Sequence, residues 1–287
     1  MEKVWTVMEL VGWTANYLKE KGFHNARLNA ELLLSGTLGL KRLDLYLQHD
    51  RPLQADELAA FKARLQRRAK REPLQYIDGT AAFRQLTLRV DPRVLIPRPE
   101  TELLVQAVLD RVAGREGLRA LDIGTGSGAI ALALATEGPF ARVVAVDVSE
   151  GALEVAMANA REAAPDAAVD FRRGSLFEAV AGERFDVVVS NPPYVGEEER
   201  DGLDAEVRDW EPAGALFAGT DGLEVIRPLV AQAPAHLHPR GLLALEIGAA
   251  QGEAVCDLIR ATGAFAGPRV IADLAGRDRI VVAELAG

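Results

Sequence analysis

One stretch, residues 185–194, constrains the fold of this chain most strongly. Residues 185–190 read FDVVVS, and consecutive β-branched valines are typical of a parallel strand that is covered on both faces. The strand ends at Asn191-Pro192-Pro193-Tyr194. Proline fixes its own φ and pushes the preceding residue toward extended geometry, so Asn191 lies on a stiff backbone. The stretch therefore predicts an open α/β sheet with a ligand-facing asparagine at the carboxyl end of a strand.

The chemistry of this stretch suits a planar group that carries an NH2. The side-chain oxygen of Asn191 and the carbonyl of Pro192 are two acceptors held in fixed positions, and Tyr194 offers a flat aromatic face beside them. A plain strand-ending turn is the alternative interpretation, because Asn-Pro often begins turns.

A second stretch, residues 121–128, reads LDIGTGSG and predicts a strand followed by a glycine-rich turn and a helix. Such a turn lets a ligand approach the backbone closely, but nicotinamide and flavin folds use similar turns. The next strand ends in Asp147. An acid about 20 residues past a glycine turn can bind both hydroxyls of a ribose. Together these features predict a cofactor that contains a nucleoside.

The combination of these motifs resembles the class I S-adenosylmethionine-dependent methyltransferases that modify amino groups. Three further stretches narrow the resemblance to the HemK/PrmC family: residues 73–77 (PLQYI), 94–102 (VLIPRPETE), and 211–223 with Glu211-Pro212 at its start. That family methylates the glutamine side chain in the Gly-Gly-Gln loop of class-1 peptide chain release factors. The resemblance covers nearly the whole chain. The Asn-Pro-Pro-Tyr motif alone is shared with DNA adenine methyltransferases, and the IPRPETE block is more specific.

The resemblance implies a set of site residues and a cofactor, S-adenosyl-L-methionine. It places catalysis on Asn191, Pro192 and Tyr194, and substrate binding on Asn191, Pro192, Pro193 and Tyr194. It places cofactor binding on Gly124, Thr125, Gly126, Ser127, Gly128, Asp147, Leu176 and Asn191. Relatives often carry an acid near the adenine where this chain has Ser175, so apolar contact by Leu176 is expected instead. No metal is expected, since the four histidines lack metal-binding spacing.

The pattern of the whole chain predicts a doubly wound α/β domain preceded by a small all-helical domain, and the resemblance implies that these are a Rossmann-like methyltransferase domain and a recognition domain. The predicted parts are a helical recognition domain at residues 1–75, a connecting β-hairpin at 76–97 and the methyltransferase domain at 98–287. Strands are expected near residues 120–123, 143–147, 169–172, 186–190, 242–247, 270–272 and 280–284. The family resemblance adds that the last strand is antiparallel.

Two details of the first 100 residues carry specific expectations. In the hairpin, Asp91-Pro92 is expected to turn the chain and residues 94–96 to return as a strand. Residues 64–71 read RLQRRAKR, and this basic stretch is either a solvated helix end, where the helix dipole favours cations, or a docking patch for a macromolecule.

Composition and charge limit the function further. The net charge of −9 argues against non-specific nucleic-acid binding. Residues 1–80 hold 13 basic and 10 acidic side chains, so the negative charge lies in the remainder. A single cysteine, Cys256, fits a reducing cytoplasm and a place in the core, and neither a signal peptide nor a membrane span is expected. The expected partner is a release factor. The alternatives are an adenine amino-methyltransferase acting on DNA or RNA, and a non-catalytic module that kept the fold.

Overall fold

A computed structural model describes residues 4–287 and contains two compact units. The first unit comprises the chain up to Gly79 together with Ala205–Trp210. The second comprises Thr80–Asp204 and Glu211–Gly287. The chain therefore leaves the second unit once, between residues 204 and 211, to contribute a short segment to the first. Within the described residues, no helix is long and apolar enough to cross a membrane.

The first unit is helical, as predicted. Its helices are α1 (Val7–Glu20), α2 (Ala26–Leu38), α3 (Arg42–Leu47), α4 (Ala55–Arg68), α5 (Leu74–Asp78) and α9 (Ala205–Arg208). A capping box begins α1, in which the Glu9 backbone donates to the Thr6 hydroxyl and the Glu9 carboxylate accepts from the Thr6 backbone. Buried leucines of α2, including Leu33 and Leu34, pack with Phe61 of α4 in a single core.

The arginines of the basic stretch at residues 64–71 contact other parts of the first unit. Its arginines have partners inside the unit: Arg64 pairs with Asp78, Arg67 with Glu72, Arg68 with Glu206, and Arg71 with the carbonyls of Lys21 and Gly22. The side chain of Arg68 is only 4 % exposed and also donates to Asn29 at 2.6 Å. These arginines hold α4 to its neighbours, whereas the side chain of Arg67 remains 47 % exposed and Lys70 is exposed as well. A docking role for the stretch stays a prediction.

The hairpin between the helical region and the sheet is shorter than predicted. Residues 74–78 form α5, in which Tyr76 and Ile77 are buried and which ends at Gly79 in the left-handed conformation. The strands β1 (Thr80–Phe83) and β2 (Leu86–Arg89) follow, and the turn between them lies at Arg84. The chain turns again at Asp91-Pro92, where the Val94 backbone N–H donates to the Asp91 carbonyl at 3.1 Å. Residues 94–96 form no strand.

An arginine in the left-handed backbone conformation lies at the turn of the hairpin. Arg84 has a φ of 51°, a conformation that costs free energy for a residue with a Cβ. Its backbone N–H donates to Glu102 at 3.0 Å, and its guanidinium pairs with Glu137 at 2.6 Å. These tertiary contacts hold the turn, and none of them is visible in the local sequence pattern.

A seven-stranded sheet forms the centre of the second unit. Its order is β5-β4-β3-β6-β7-β9-β8, and β9 runs antiparallel to β7 and β8 while the other pairs are parallel. The strands are β3 (Leu118–Ile123), β4 (Phe140–Asp147), β5 (Val169–Arg173), β6 (Phe185–Ser190), β7 (Leu237–Glu246), β8 (Arg269–Ala272) and β9 (Asp278–Glu284). Each predicted strand is present, and the expected antiparallel strand is confirmed.

Helices cover both faces of this sheet, which explains the apolar character of its strands. The helices are α6 (Pro99–Val112), α7 (Ala129–Glu137), α8 (Glu150–Ala163), α10 (Ile226–His236) and α11 (Gly252–Ala261). Alternate residues of one strand enter opposite cores: Val187 packs with α6 and α7, and Val188 packs with α10 and α11. Cys256 lies buried in the second of these cores, as expected. The doubly wound fold is confirmed, and it places the carboxyl ends of β3, β4 and β6 side by side.

Candidate active site

A cavity of about 550 Å³ opens at the carboxyl ends of β3, β4 and β6 in the second unit. Most of the residues predicted for the site line it: Gly124, Thr125, Gly126, Ser127, Asp147, Leu176, Asn191 and Pro193. Gly128, Pro192 and Tyr194 do not line it. Its size matches the pockets that hold small-molecule cofactors, and its walls are mainly apolar with a few polar groups.

The glycines of the turn have different surroundings: one lies at the cavity, and another lies where two helices pack together. Gly126 has a φ of 55° and nothing within 4 Å of the position of a Cβ, so it needs glycine for its backbone conformation and leaves open space beside it. Gly128 begins α7, and a Cβ there would lie 3.2 Å from the Cβ of Ala156 in α8. Gly128 therefore permits close packing of the two helices and does not line the cavity, so its part in cofactor binding stays a prediction.

Asp147, at the end of β4, holds the glycine turn in place. Its carboxylate accepts from the backbone N–H of Gly126 and from that of Ser149, each at 2.9 Å. The side chain lines the cavity although the residue is only 9 % exposed. Each carboxylate oxygen keeps a lone pair for a further donor, so Asp147 can accept from a ribose hydroxyl while it holds the turn.

A second acid lies beneath this turn. Asp122 is completely buried and accepts from the Thr125 hydroxyl at 2.7 Å. Burial, together with the charge of Asp147, raises the pKa of Asp122 to about 7, and the hydrogen bond from Thr125 opposes that rise. The carboxyl group does not line the cavity, and it supports the turn from below.

Asn191 belongs to a hydrogen-bonded chain of four side chains, which we call the Asn191 relay: Asn191, Thr101, Glu246 and Tyr194. The Asn191 NH2 donates to the Thr101 hydroxyl at 3.0 Å, and that hydroxyl donates to Glu246 at 2.7 Å. The Tyr194 hydroxyl donates to the other oxygen of Glu246 at 3.2 Å. Asn191 and Thr101 line the cavity, whereas Glu246 is buried at 1 % exposure.

Tyr194 does not occupy the position expected of it. Its ring packs against the core that contains α10 and α11, and burial raises the pKa of its hydroxyl above the ordinary value. The structure therefore gives the tyrosine a partner in Glu246 and does not show it as a face of the cavity. Pro192 is buried, and Pro193 lines the cavity.

Two of the three stretches that narrowed the family resemblance, residues 94–102 and 211–223, meet beside the cavity. Arg98 pairs with the buried carboxylate of Glu211 and donates to the carbonyl of Ile96 at 3.0 Å. The backbone N–H of Ile96 in turn donates to Glu211 at 3.1 Å. Burial raises the pKa of Glu211, and the charge of Arg98 opposes that rise. This contact fixes Pro97 and Pro212, which both line the cavity.

Comparisons with known proteins agree with the geometry. The PrmC N-terminal domain model matches residues 9–79, and the Methyltransferase small domain model matches residues 99–206. The release factor glutamine methyltransferase of Geobacter sulfurreducens is 46 % identical over 97 % of this chain and 96 % of its own length. That of Chlorobaculum tepidum is 44 % identical over 97 % of both chains. The chain belongs to the release factor glutamine methyltransferase family. The family predicted from the motifs is thereby confirmed.

Solved structures with lower identity share the fold. A methyltransferase from Pyrococcus furiosus aligns with a TM-score of 0.51 at 22 % identity, covering 70 % of this chain and 90 % of its own. A 16S rRNA methyltransferase of Thermus thermophilus, solved with AdoMet and guanosine, aligns with a TM-score of 0.53 at 22 % identity, covering 72 % and 49 %. Both likenesses place the second unit among the class I methyltransferase folds.

Two members of the relay were missed at the sequence level. Thr101 was assigned to the block near the cofactor without a role of its own, and Glu246 was assigned only to a strand. One signal for Glu246 was available, because it is the single charged residue in the apolar run of residues 242–247. A charge in such a strand requires a buried partner. Across residues 4–287 there is no group of three or more His, Cys, Asp or Glu side chains arranged to hold a metal ion.

Proposed function

We propose that this protein transfers a methyl group from S-adenosyl-L-methionine to the side-chain amide nitrogen of the glutamine in the Gly-Gly-Gln motif of class-1 release factors. The observation that carries the proposal is the orientation of Asn191. Its NH2 is used by Thr101, so its oxygen remains as an acceptor at the cavity. An acceptor in this place suits a substrate NH2, and the family of the chain identifies that NH2 as a glutamine amide.

The residues around the cavity fit S-adenosyl-L-methionine. Asp147 would hold the ribose hydroxyls, Leu176 would contact the adenine through apolar packing, and the open turn at Gly126 would let the backbone approach the ligand. The bound cofactor supplies a methyl group on a positively charged sulfur, which is already reactive toward nucleophiles. The contribution of the protein is then mainly to position the acceptor nitrogen.

Asn191 addresses the difficulty of methylating an amide. The lone pair of an amide nitrogen is shared with its carbonyl, so the group is a poor nucleophile. The Asn191 oxygen accepts an N–H of the substrate, which orients the nitrogen and stabilises the positive charge that it gains in the transition state. The carbonyl of Pro192 is proposed as the second acceptor. The proton leaves the nitrogen after methyl transfer, so no strong base is required in the cavity.

The first unit is proposed to bind the release factor. Its support is an exposed apolar face on α3, where Leu43 and Leu47 are 69 % and 72 % exposed and lie one turn apart with Tyr46. Tyr46 and the neighbouring arginines Arg27 and Arg42 are fixed by hydrogen bonds to the buried Glu31. We favour this face over the basic stretch as the candidate recognition surface, because the arginines of that stretch have partners inside the unit.

A pair of substitutions tests this surface. Exchanging Leu43 and Leu47 together for glutamate should raise KM for the release factor by roughly tenfold, as expected for an interface anchor worth about 1.4 kcal/mol. Cofactor affinity should not change. Leu274→Glu is a matched control, since Leu274 is 96 % exposed in the second unit. An unchanged KM for the double variant would remove α3 from the recognition surface.

The partner and the location of the protein follow from the same reasoning. Direct nucleic-acid binding is not expected, because the net charge is −9 and the arginines of residues 64–71 are engaged within the fold. A cytoplasmic location is proposed, since a class-1 release factor is the expected substrate and the one cysteine of the chain is buried as a thiol.

Locating the methyl group tests the proposed reaction directly. The protein is incubated with labelled S-adenosyl-L-methionine and a class-1 release factor, and the factor is then digested and mapped by mass spectrometry. We expect label on the glutamine of the Gly-Gly-Gln motif and none on a factor in which that glutamine is replaced by alanine. Label elsewhere on the factor, or on both factors, would contradict the proposal.

A further inference from the structure

The hydrogen bonds of the Asn191 relay converge on a buried acid, Glu246, which does not line the cavity. Glu246 lies at the end of β7, and each of its two oxygens accepts from one hydroxyl, that of Thr101 or that of Tyr194. A buried carboxylate with no role in the described reaction is costly to retain, so its place in the fold requires a reason.

The direction of the hydrogen bonds in the relay supplies that reason. The Thr101 hydroxyl donates its single proton to one oxygen of Glu246, and the other oxygen accepts from Tyr194, so the carboxylate acts only as an acceptor here. The Thr101 oxygen can then only accept, and the Asn191 group that faces it must be the NH2. The asparagine oxygen is thereby turned to the cavity.

We infer that Thr101 and Glu246 are positioning residues that fix the orientation of the Asn191 amide, so that an acceptor and not a donor meets the substrate. This inference rests on the proposed function, in which the substrate presents an NH2. An asparagine side chain has nearly the same shape in its two amide orientations, and its neighbours decide between them. In this protein Glu246, two hydrogen bonds away from Asn191, determines the orientation of the asparagine amide.

The pKa of the Glu246 carboxyl is raised above its ordinary value, chiefly by burial, while three neighbouring groups act against that rise and stabilise the ionised form. Burial opposes ionisation, whereas the hydroxyls of Thr101 and Tyr194 and the positive charge of Arg279 promote it. Glu100 is the acidic group that acts against it. Arg279 lies on β9, which pairs with β7 at this position.

Substitutions at Thr101 give the first test, with kcat measured on the release factor. Thr101→Val removes the hydroxyl but keeps the shape, so the amide is free to flip, and kcat should fall about tenfold for the loss of an orienting bond of about 1.4 kcal/mol. Thr101→Ser restores the hydroxyl and should recover kcat to near the wild-type value. Cofactor affinity measured by calorimetry should be unchanged in both. A serine variant as slow as the valine variant would overturn the inference.

Glu246→Gln gives a sharper test because it can reverse the relay. The glutamine NH2 can donate to the Thr101 oxygen, and the Thr101 hydroxyl can then donate to the Asn191 oxygen, so that the asparagine presents its NH2 to the substrate. The loss of an acceptor in the transition state should lower kcat about a hundredfold. Adding Thr101→Val breaks the reversed relay. The kcat of the double variant should therefore be higher than that of Glu246→Gln alone and about equal to that of Thr101→Val. A double variant that is slower than Glu246→Gln alone would overturn the inference.

A measurement without substrate separates this inference from the proposed function. In protein labelled with ¹⁵N-asparagine, one side-chain amide proton of Asn191 should exchange slowly with solvent because it is bonded to Thr101. The protection should be lost in Thr101→Val and retained in Thr101→Ser. Equal exchange in the wild type and the valine variant would contradict the relay even if the release factor is methylated. The protection pattern would stand if the factor were not the substrate, in which case only the proposed function fails.

Discussion

Replacing Asp147 by alanine should remove two functions at once. The structure shows its carboxylate bonded to the N–H groups of Gly126 and Ser149, so the substitution frees the glycine turn as well as removing the proposed ribose acceptor. A hydrogen bond to a charged group is worth about 1.5–3 kcal/mol, which corresponds to a loss of cofactor affinity of roughly 10- to 100-fold. The release of the turn should bring the loss toward the upper end of that range.

Calorimetric titration with S-adenosyl-L-methionine measures this loss, and a control variant at the neighbouring Ser149 leaves both backbone contacts of the Asp147 carboxylate in place. Ser149→Ala removes the hydroxyl that caps α8 by accepting from Ala152 at 3.1 Å. The loss of that cap should cost about 1 kcal/mol of stability. The variant keeps the backbone N–H that bonds to Asp147, so cofactor affinity should remain close to that of the wild type. Wild-type affinity in Asp147→Ala would refute the assignment and mean that the ribose is held elsewhere.

Three further results are expected. Asn191→Ala should lower kcat by about 10²- to 10³-fold with cofactor affinity nearly intact, because the lost acceptor acts mainly in the transition state; calorimetry and single-turnover methylation check this. Arg68→Ala should destabilise the protein by about 2–3 kcal/mol, since it leaves buried partners unpaired, and denaturant unfolding measures it. For Asp122, folding raises the carboxyl pKa from 3.8 to about 7, so its contribution to stability falls as pH rises between those values. Asp122→Asn should remove up to about 4 kcal/mol of the change in unfolding free energy between low and high pH. Unfolding curves of the wild type and the variant at pH 4 and pH 8 measure it, and an equal pH dependence in the two proteins would refute the reasoning.

The sequence was informative where structure depends on local patterns. Parallel strands covered on both faces are continuous apolar runs, which is why the strand at residues 185–190 and its neighbours could be located. The glycine turn and Asp147 could be assigned to one end of the sheet because successive parallel strands end on the same side. The short helices α3 and α5 were missed, since six or five residues carry too little periodicity to identify a helix.

The sequence-based predictions were least accurate for side chains whose partners are distant in the chain. Arg68 pairs with Glu206, 138 residues away, so a basic stretch that looked solvent-facing is part of a packed unit. Tyr194 turns to Glu246, 52 residues away, and not to the cavity that its neighbour Asn191 lines. A sequence shows which side chains need a partner but not which partner each one finds.

The most direct test of the account offers four substrates to the same enzyme. Labelled S-adenosyl-L-methionine is supplied with a class-1 release factor, an unrelated protein that contains glutamine, DNA and RNA, each in a separate reaction and with Asn191→Ala as the control enzyme. We expect methyl transfer to the release factor alone, and its near-complete loss in the variant. Transfer to adenine in DNA or RNA at a comparable or higher rate, or equal transfer to the unrelated protein, would contradict the claim that this cavity is built for the release factor glutamine.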